Sequence, residues 1–366
     1  MVKETKSERH ARGFSSWSQL VSMLFCQLGH AFSLREISGG LRSCEGKLKH
    51  LGISAPSHST LAYANEHRPW ELYQLLFLKL LDRCRSQVSL GKRKFRFKNK
   101  LVSIDSSIID LCLEMFDWAH FRRAKGAIKL HLLLDHDGYL PAFAIITEGK
   151  VADVKMAWQF QFDPHTIVVD DRGYNDYALF QHWTSQGVYF VTRMKDNAVY
   201  EVIRKNKVPQ NRHILKDEII ELRGSGAFEK CPNQLRRIEF YNSEKQEILV
   251  FLSNHLKLGA STVAAIYKDR WQIEIFFKAL KQNLKIKTFV GTSANAVKIQ
   301  IWTALLAMLI LRFLQLRSHF NWSLSNLVAL LRMNLFTHRD LWAWLDQPFD
   351  VLPIPYDSEQ LQFNLA

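Results

Sequence analysis

Thr166-Ile-Val-Val-Asp-Asp-Arg-Gly-Tyr174 runs from four β-branched residues straight into two carboxylates, an arginine and a glycine. Four such residues in a row predict a short buried strand, and the polar residues after them predict that it stops with acid at its end. Upstream, Leu101-Val-Ser-Ile-Asp105 reads the same way, as a strand ending in a carboxylate. Lys129 to Leu134 and Leu140 to Thr147 are two further strands flanking the turn Asp135-His-Asp-Gly138, and Val151 to Phe160 is predicted as a helix. Downstream come a helix, Asp176 to Gln186, and a strand, Tyr189 to Met194.

The order β-β-β-α-β-α-β is that of an RNase H-like fold, in which the first and fourth strands lie side by side. Acids ending those strands are then neighbours in space. Asp110, Asp117, Asp135 and Asp137 are rivals to Asp105, but none ends the first strand, and a turn or cap role is the plainer reading of any one acid at a strand end. Asp170 and Asp171 stand together; an extended chain sends them to opposite sides. A third carboxylate has to come from a helix beside the sheet. The candidate is Glu274, so far beyond Asp171 that something must be inserted, and residues 196 to 258 supply it. That stretch is polar, includes Gly224-Ser-Gly226, and holds two alternating runs, Leu235 to Tyr241 and Glu247 to Leu252, joined by Asn242-Ser-Glu-Lys245 as a hairpin.

Glu274 lies in Thr262-Val-Ala-Ala-Ile-Tyr-Lys-Asp-Arg-Trp-Gln-Ile-Glu-Ile-Phe-Phe-Lys-Ala-Leu-Lys281. At roughly 100° per residue, Tyr267, Arg270, Glu274 and Lys281 fall within an arc of about 60° on a helix. Lys278 shares that face, while Ala264, Ile273, Phe276 and Leu280 gather on other sides for packing. A lone carboxylate among cations suits metal-plus-phosphate chemistry; a solvated face with an i,i+4 Arg–Glu pair is the alternative.

Composition sets the frame. The 366 residues are 47% hydrophobic, which says globular, and carry a formal charge of +14. Residues 1 to 100 hold 18 Lys/Arg against 7 Asp/Glu, so most of the excess lies in the first quarter. A basic end ahead of a near-balanced body suggests a polyanion partner, though ribosomal or membrane-surface binding explains the charge equally well. Cys26, Cys44, Cys84, Cys112 and Cys231 form no CxxC pair, which indicates neither zinc site nor disulfide framework and fits a reduced cytoplasmic setting. The start has no apolar core of a signal peptide. The longest apolar stretch, Ile301 to Leu311, is too short to cross a bilayer and reads as a buried helix.

At the basic end, Ser16 to Leu28 has helical spacing, Ser33-Leu-Arg-Glu36 offers a capping box, and Pro56-Ser-His-Ser-Thr60 leads into a further helix. This rhythm is compatible with a helix-turn-helix module, as with any small helical bundle. Lys92-Arg-Lys-Phe-Arg-Phe-Lys-Asn-Lys100 is either an edge strand on DNA or a basic linker. Beyond residue 295 the chain is helical again: Val297 to Leu316, Trp322 to Met333 and Arg339 to Trp344, with a tail from Pro353. The expected organisation is 1–95 helical and DNA-binding, 96–195 the first part of the core, 196–258 a β-rich insertion, 259–295 the Glu274 helix and 296–366 a C-terminal helical region. The fold class is α/β, an RNase H-like mixed sheet between all-α ends.

In-line displacement at a phosphodiester needs a deprotonated attacking oxygen and a stabilised leaving oxygen, and two Mg²⁺ ions about 4 Å apart can serve both. Hard cations want oxygen ligands, which three carboxylates on different elements provide. With Tyr267, Arg270, Glu274 and Lys281 at the spacing Y-(2)-R-(3)-E-(6)-K, with Asp171-Arg-Gly-Tyr174 and with Asp105-Ser-Ser, the chain resembles the DDE transposases of the insertion-sequence-four type. Lys129-Leu-His131, Phe190-Val-Thr-Arg193-Met-Lys195, Phe277-Lys-Ala-Leu-Lys281 and Gly291-Thr-Ser support the likeness, which covers roughly residues 100 to 300.

The resemblance implies an enzyme that binds the terminal inverted repeats of its mobile element, pairs two ends as a homodimer on double-stranded DNA, and cuts and rejoins strands in element ends and target. Asp105, Asp171 and Glu274 would hold two Mg²⁺, with Mn²⁺ as a substitute. Tyr267, Arg270 and Lys281 would grip phosphates beside the cleaved end, and Arg172, Arg193 and Lys195 would touch backbone. It implies no membrane, no small-molecule cofactor, and a prokaryotic, nucleoid-associated location in the cytoplasm. Hairpin-forming relatives stack an insertion-domain Trp on a flipped base, yet residues 196 to 258 contain none; Tyr200, Phe228, Phe240 and Tyr241 are the substitutes. The alternatives are a nuclease of the same fold without strand transfer and a non-catalytic DNA-binding descendant.

Overall fold

The computed structural model describes residues 1–9, 11–87, 94–111, 116, 118, 120–122, 125–210, 213–224 and 226–350. Lys92, Arg93, Cys112, Asp117, Ser225 and the segment from Pro353 lie outside the described residues. Six helices come first: α1 (Val2–Thr5), α2 (Ser16–Gly29), α3 (Leu34–Ser43), α4 (Glu45–Leu48), α5 (His58–His67) and α6 (Glu71–Gln87). Ser33 caps α3 as expected, its Oγ accepting from the Glu36 amide at 3.1 Å, while Glu36 Oε2 accepts at 2.8 Å from the amide of Phe32, one residue before the cap and not from Ser33 as a full capping box would.

The core follows as β1 (Leu101–Leu111), β2 (His120–Arg122), β3 (Lys125–Asp135), β4 (Leu140–Glu148), α7 (Asp153–Ala157), β5 (Ile167–Val169), α8 (Tyr177–Ser185) and β6 (Tyr189–Arg193). Strand β3 pairs antiparallel with both β1 and β4, while β1, β5 and β6 run parallel. The resulting order β4-β3-β1-β5-β6 is the RNase H-like arrangement. Two expectations need correction. Asp105 does not end its strand: β1 continues six residues further against β3, and only its parallel pairing with β5 stops, at Ser103↔Val169. The helix expected over Val151 to Phe160 shrinks to five residues, because Asp153 spends its carboxylate on Ser106 and Lys129 and the chain tightens into i→i+3 turns at Gln159 and Phe160.

The insertion forms β7 (Tyr200–Lys205), β8 (Ile214–Leu222), α9 (Ala227–Lys230), β9 (Leu235–Asn242) and β10 (Glu247–Ser253). Its strands continue the core sheet, since β10 pairs antiparallel with β6 and β9, β8 and β7 follow in order. A two-point ion pair pins it: Arg236 donates to both oxygens of Asp217 at 2.8 and 2.6 Å, both side chains being buried.

The chain ends in α10 (Ala260–Asp269), α11 (Trp271–Asn283), α12 (Ala294–Arg317), α13 (Leu324–Met333) and α14 (Leu341–Asp346). Helix α12 contains the apolar stretch Ile301 to Leu311 but is longer than that stretch suggests. Its 24 residues and a mean hydropathy of 1.8 are enough, by length and composition alone, to cross a membrane; 78% of its apolar window is buried inside the fold. Met23, Phe77 and Leu305 belong with Phe276 and Leu280 to one continuous core, so the N-terminal helices pack on the C-terminal ones and on α11.

Strand parity decides what faces what. Leu101, Ile167, Val169 and Val191 share a core with Val263 and Ile266 of α10, whereas Val102, Ile104, Val168 and Phe190 pack with Phe180 and Trp183 of α8. Odd positions on β1 and β5 therefore look toward α10, and even ones toward α8.

Candidate active site

Parity carries the acids with it. Asp105 lies two residues past Ser103, and Asp171 two past Val169, its pairing partner. Asp171 keeps an extended backbone (φ −89°, ψ 175°), so both point to the α10 side. Asp170, on the even side, is fully buried, and burial pushes its carboxyl well above the usual range. The choice of Asp171 over Asp170 matches this geometry. Asp171 also accepts from the Gly173 amide at 2.7 Å, capping the single 3-10 turn Arg172–Tyr174.

The polar stripe is not carried by one unbroken helix. It divides at Arg270, which ends α10 and begins α11, with its amide shared between the carbonyls of Ile266 and Tyr267. Glu274 sits in the first turn of α11. Arg270 lies between the acids: its guanidinium is 3.7 Å from Asp105 Oδ2 and donates to Glu274 Oε1 at 2.6 Å. The Tyr267 ring supports the guanidinium at 5.5 Å and itself packs on Phe251. Lys281 lies about two helical turns beyond Glu274 and donates to the Ile108 carbonyl of β1 at 2.9 Å. Ala264, Ile273, Phe276 and Leu280 are buried as expected, and Lys278 is exposed.

The charges of the other two acids act on Asp105. Burial pushes Asp105 up to about 7; the Ser106 amide and Arg270 oppose this, while the charges of Asp171 and Glu274 add to it. The buried Tyr174 phenol is raised by burial and then by the charges of Asp153, Asp105, Asp171 and Asp170. Among the described residues no three acidic, imidazole or thiol groups already converge as ready-made metal ligands. Arg270 is the cation between two of the acids here. The donor set nevertheless fits a hard divalent ion: Asp105, Asp171 and Glu274 offer only oxygen, and Asp105 is a largely buried carboxyl.

The weaker candidates flank this centre. Arg172 pairs with Asp196 at 2.6 Å, Lys195 donates to the Asn175 carbonyl at 3.0 Å, and both line an open pocket of about 440 Å³. Arg193 lies 4.0 Å from Glu247. Phe228 and Tyr241 are exposed on the insertion; Tyr200 lies under Arg237, and Phe240 packs inward. Phe95 and Phe97 stack on each other and pack toward the α10 core, and no strand forms over residues 94–100.

Sequence reasoning missed a buried anchor directly before Arg270. Asp269 faces inward and accepts from Lys94, from His136 Nδ1 at 2.6 Å and from the Tyr139 hydroxyl at 3.2 Å. His136 Nε2 in turn lies 2.6 Å from Ser103 Oγ. It also missed Asp153, which accepts from Ser106 Oγ at 2.6 Å and lies 3.2 Å from Lys129 Nζ. The only available signal was that Asp269 adjoins Arg270 on the packing side of the helix.

Comparison with known proteins decides the family. A family model described as the transposase DDE domain matches residues 96–310. The chain belongs to the DDE transposases. A second model, a domain of unknown function, matches residues 1–54 of this transposase. Over 303 residues it is 29% identical to a protein of Sinorhizobium fredii named as a transposase, covering 82% of this chain and 83% of that one. It is 26% identical over 278 residues to a protein of Geobacillus stearothermophilus named as the transposase for insertion sequence element IS5377, covering 75% and 72%. Among solved structures, the piggyBac transposase synaptic complex with hairpin DNA superposes with a TM-score of 0.44 at 8% identity, over 93% of this chain and 73% of that one.

His131, packed beside Thr147 and Asp153, should make the protein sensitive to acid. Its ring is fully buried, accepts or donates at Thr147 Oγ1 (2.9 Å), and lies 3.5 Å from Asp153; burial lowers its pKa to about 4. A histidine depressed in the fold contributes stability that is complete above its ordinary 6.5 and drains away as pH falls toward 4. The loss is at most about 3 kcal/mol, at 1.36 kcal/mol per unit. Denaturant titrations at pH 7.5 and 4.5 should show a smaller drop for His131→Gln than for wild type; equal drops would refute the assignment.

Proposed function

We propose that this transposase cuts and rejoins DNA strands at the terminal inverted repeats of its element, with two Mg²⁺ ions held by Asp105, Asp171 and Glu274. The observation that carries this reading is the arrangement at Arg270. Strand parity turns Asp105 and Asp171 to one side of the sheet, and Arg270 there reaches Asp105 and Glu274 together. When bound, such ions lower the pKa of the attacking water or 3′-hydroxyl and neutralise the leaving oxygen.

The chain's own groups do the rest. Arg270 can leave Glu274 for the phosphate beside the cleaved bond, its plane fixed by the Tyr267 ring. Lys281 lies alongside β1 beyond Asp105, where a strand leaving the site would pass. Arg172, Arg193 and Lys195 extend a basic margin toward the insertion, whose exposed Phe228 and Tyr241 are the aromatics suited to stack on a flipped base if excision runs through a hairpin. The basic helical end, residues 1–95, reads as the element-end reader, and pairing two ends calls for two copies of the chain acting on nucleoid DNA.

The test is incubation of the purified protein with duplexes ending in the inverted repeats that flank its gene, with Mg²⁺ or with a chelator. Nicking at the element boundary and joining to target DNA, both lost on chelation, are expected. Cleavage without joining would favour the nuclease reading, and no cleavage with an intact, DNA-binding protein would end both.

A further inference from the structure

A second basic site lies away from the carboxylates. Between the β3–β4 turn, the C-terminal half of α12 and the loop 318–322 is a cavity of about 460 Å³, lined among others by Lys94, Tyr139, Arg312, Ser318 and Asn321. Arg312 is the anomaly. Its side chain is partly buried, it donates to Gln315 Oε1 at 2.8 Å, and its buried Nε has no acceptor. No carboxylate among the described residues pairs with it, and burial lowers its pKa with only the Tyr139 hydroxyl acting against that. Asp269, behind Tyr139, is already engaged by Lys94, His136 and Tyr139 itself. Asp137 also lines the cavity.

A buried charge normally has a partner, because desolvating it alone costs several kcal/mol. A guanidinium that lacks one and borders a space of ligand size is therefore short of an anion. We propose that this cavity binds a phosphate group, with Arg312 as its cationic donor. The planar fork matches two phosphate oxygens, and the Ser318 hydroxyl and Asn321 amide border the same space. The phosphate belongs either to a DNA strand crossing the β3–β4 turn or to a free small molecule. The DNA arm rests on the transposition reading, but binding is measured without catalysis, so failure of strand joining leaves it intact.

Two arms separate the sources. In the first, the melting temperature of the full chain is followed against inorganic phosphate, with chloride matching the ionic strength. Wild type should gain stability; Arg312→Gln, which removes an uncompensated charge and so should fold, should need at least tenfold more phosphate, and Arg312→Lys should keep part of the response. In the second, element-end DNA is bound at several salt concentrations. If the phosphate is a backbone phosphate, Arg312→Gln weakens binding severalfold and lowers the salt slope by about 1. A change in either arm supports the site and names its source. Wild type and Arg312→Gln behaving alike in both arms would overturn it.

Discussion

Glu274→Gln is expected to lower Mg²⁺-dependent strand cleavage at element ends by at least about 10³-fold, close to 4 kcal/mol of transition-state stabilisation. The substitution keeps shape and removes one charge. Glu274 is a third exposed, and its structural bond is the one from Arg270, which an amide oxygen can still accept. The fold should therefore survive, with melting temperature and DNA affinity near wild type. The deficit should appear in single-turnover cleavage, because the missing ligand acts on the reacting phosphate. Asp105→Asn and Asp171→Asn should fall as far. If the three groups form one ligand set, as proposed, the losses should not add in the double variants. Cleavage by Glu274→Gln within tenfold of wild type would remove Glu274 from the site and leave Arg270 with a merely structural ion pair.

Much of this centre was legible because it depends on local rules. Period-two alternation put Asp170 and Asp171 on opposite sides of the strand, and the place of Asp171 before Arg172, as in the family's motif, chose between them. Helical spacing brought Tyr267, Arg270, Glu274 and Lys281 to one side, although the chain divides at Arg270. What escaped depends on pairings distant in sequence. β10 joins β6 across the whole insertion, so the boundary at 196 marks a change of composition and no break in the sheet. The true extent of β1 is set by β3, a partner with which its first five residues alone could not be matched. The His136–Asp269 contact spans 133 positions and leaves no periodic trace.

That contact yields the second large effect. Asp269→Ala is expected to cost about 1–3 kcal/mol, the usual penalty for leaving a buried donor without its acceptor. Lys94 and His136 would both lose their acceptor, and only 1% of the Asp269 side chain is exposed. The ion pairs hold Asp269 below the ordinary carboxylate range against the opposing effect of burial, so its contribution is present at neutral pH and lost as pH falls through that lowered value. Function should suffer beyond stability, because Asp269 is the residue before Arg270 and ties that turn to the β3–β4 loop. His136→Ala is the milder probe: Lys94 and Tyr139 still hold the carboxylate, so the protein should fold at 25 °C. If the anchor positions Arg270, His136→Ala should lower the single-turnover cleavage rate about tenfold with DNA affinity unchanged, and His136→Gln, which can still donate to Asp269, should recover part of it. A purely structural role would lower the melting temperature of both variants and leave the rate on folded protein untouched.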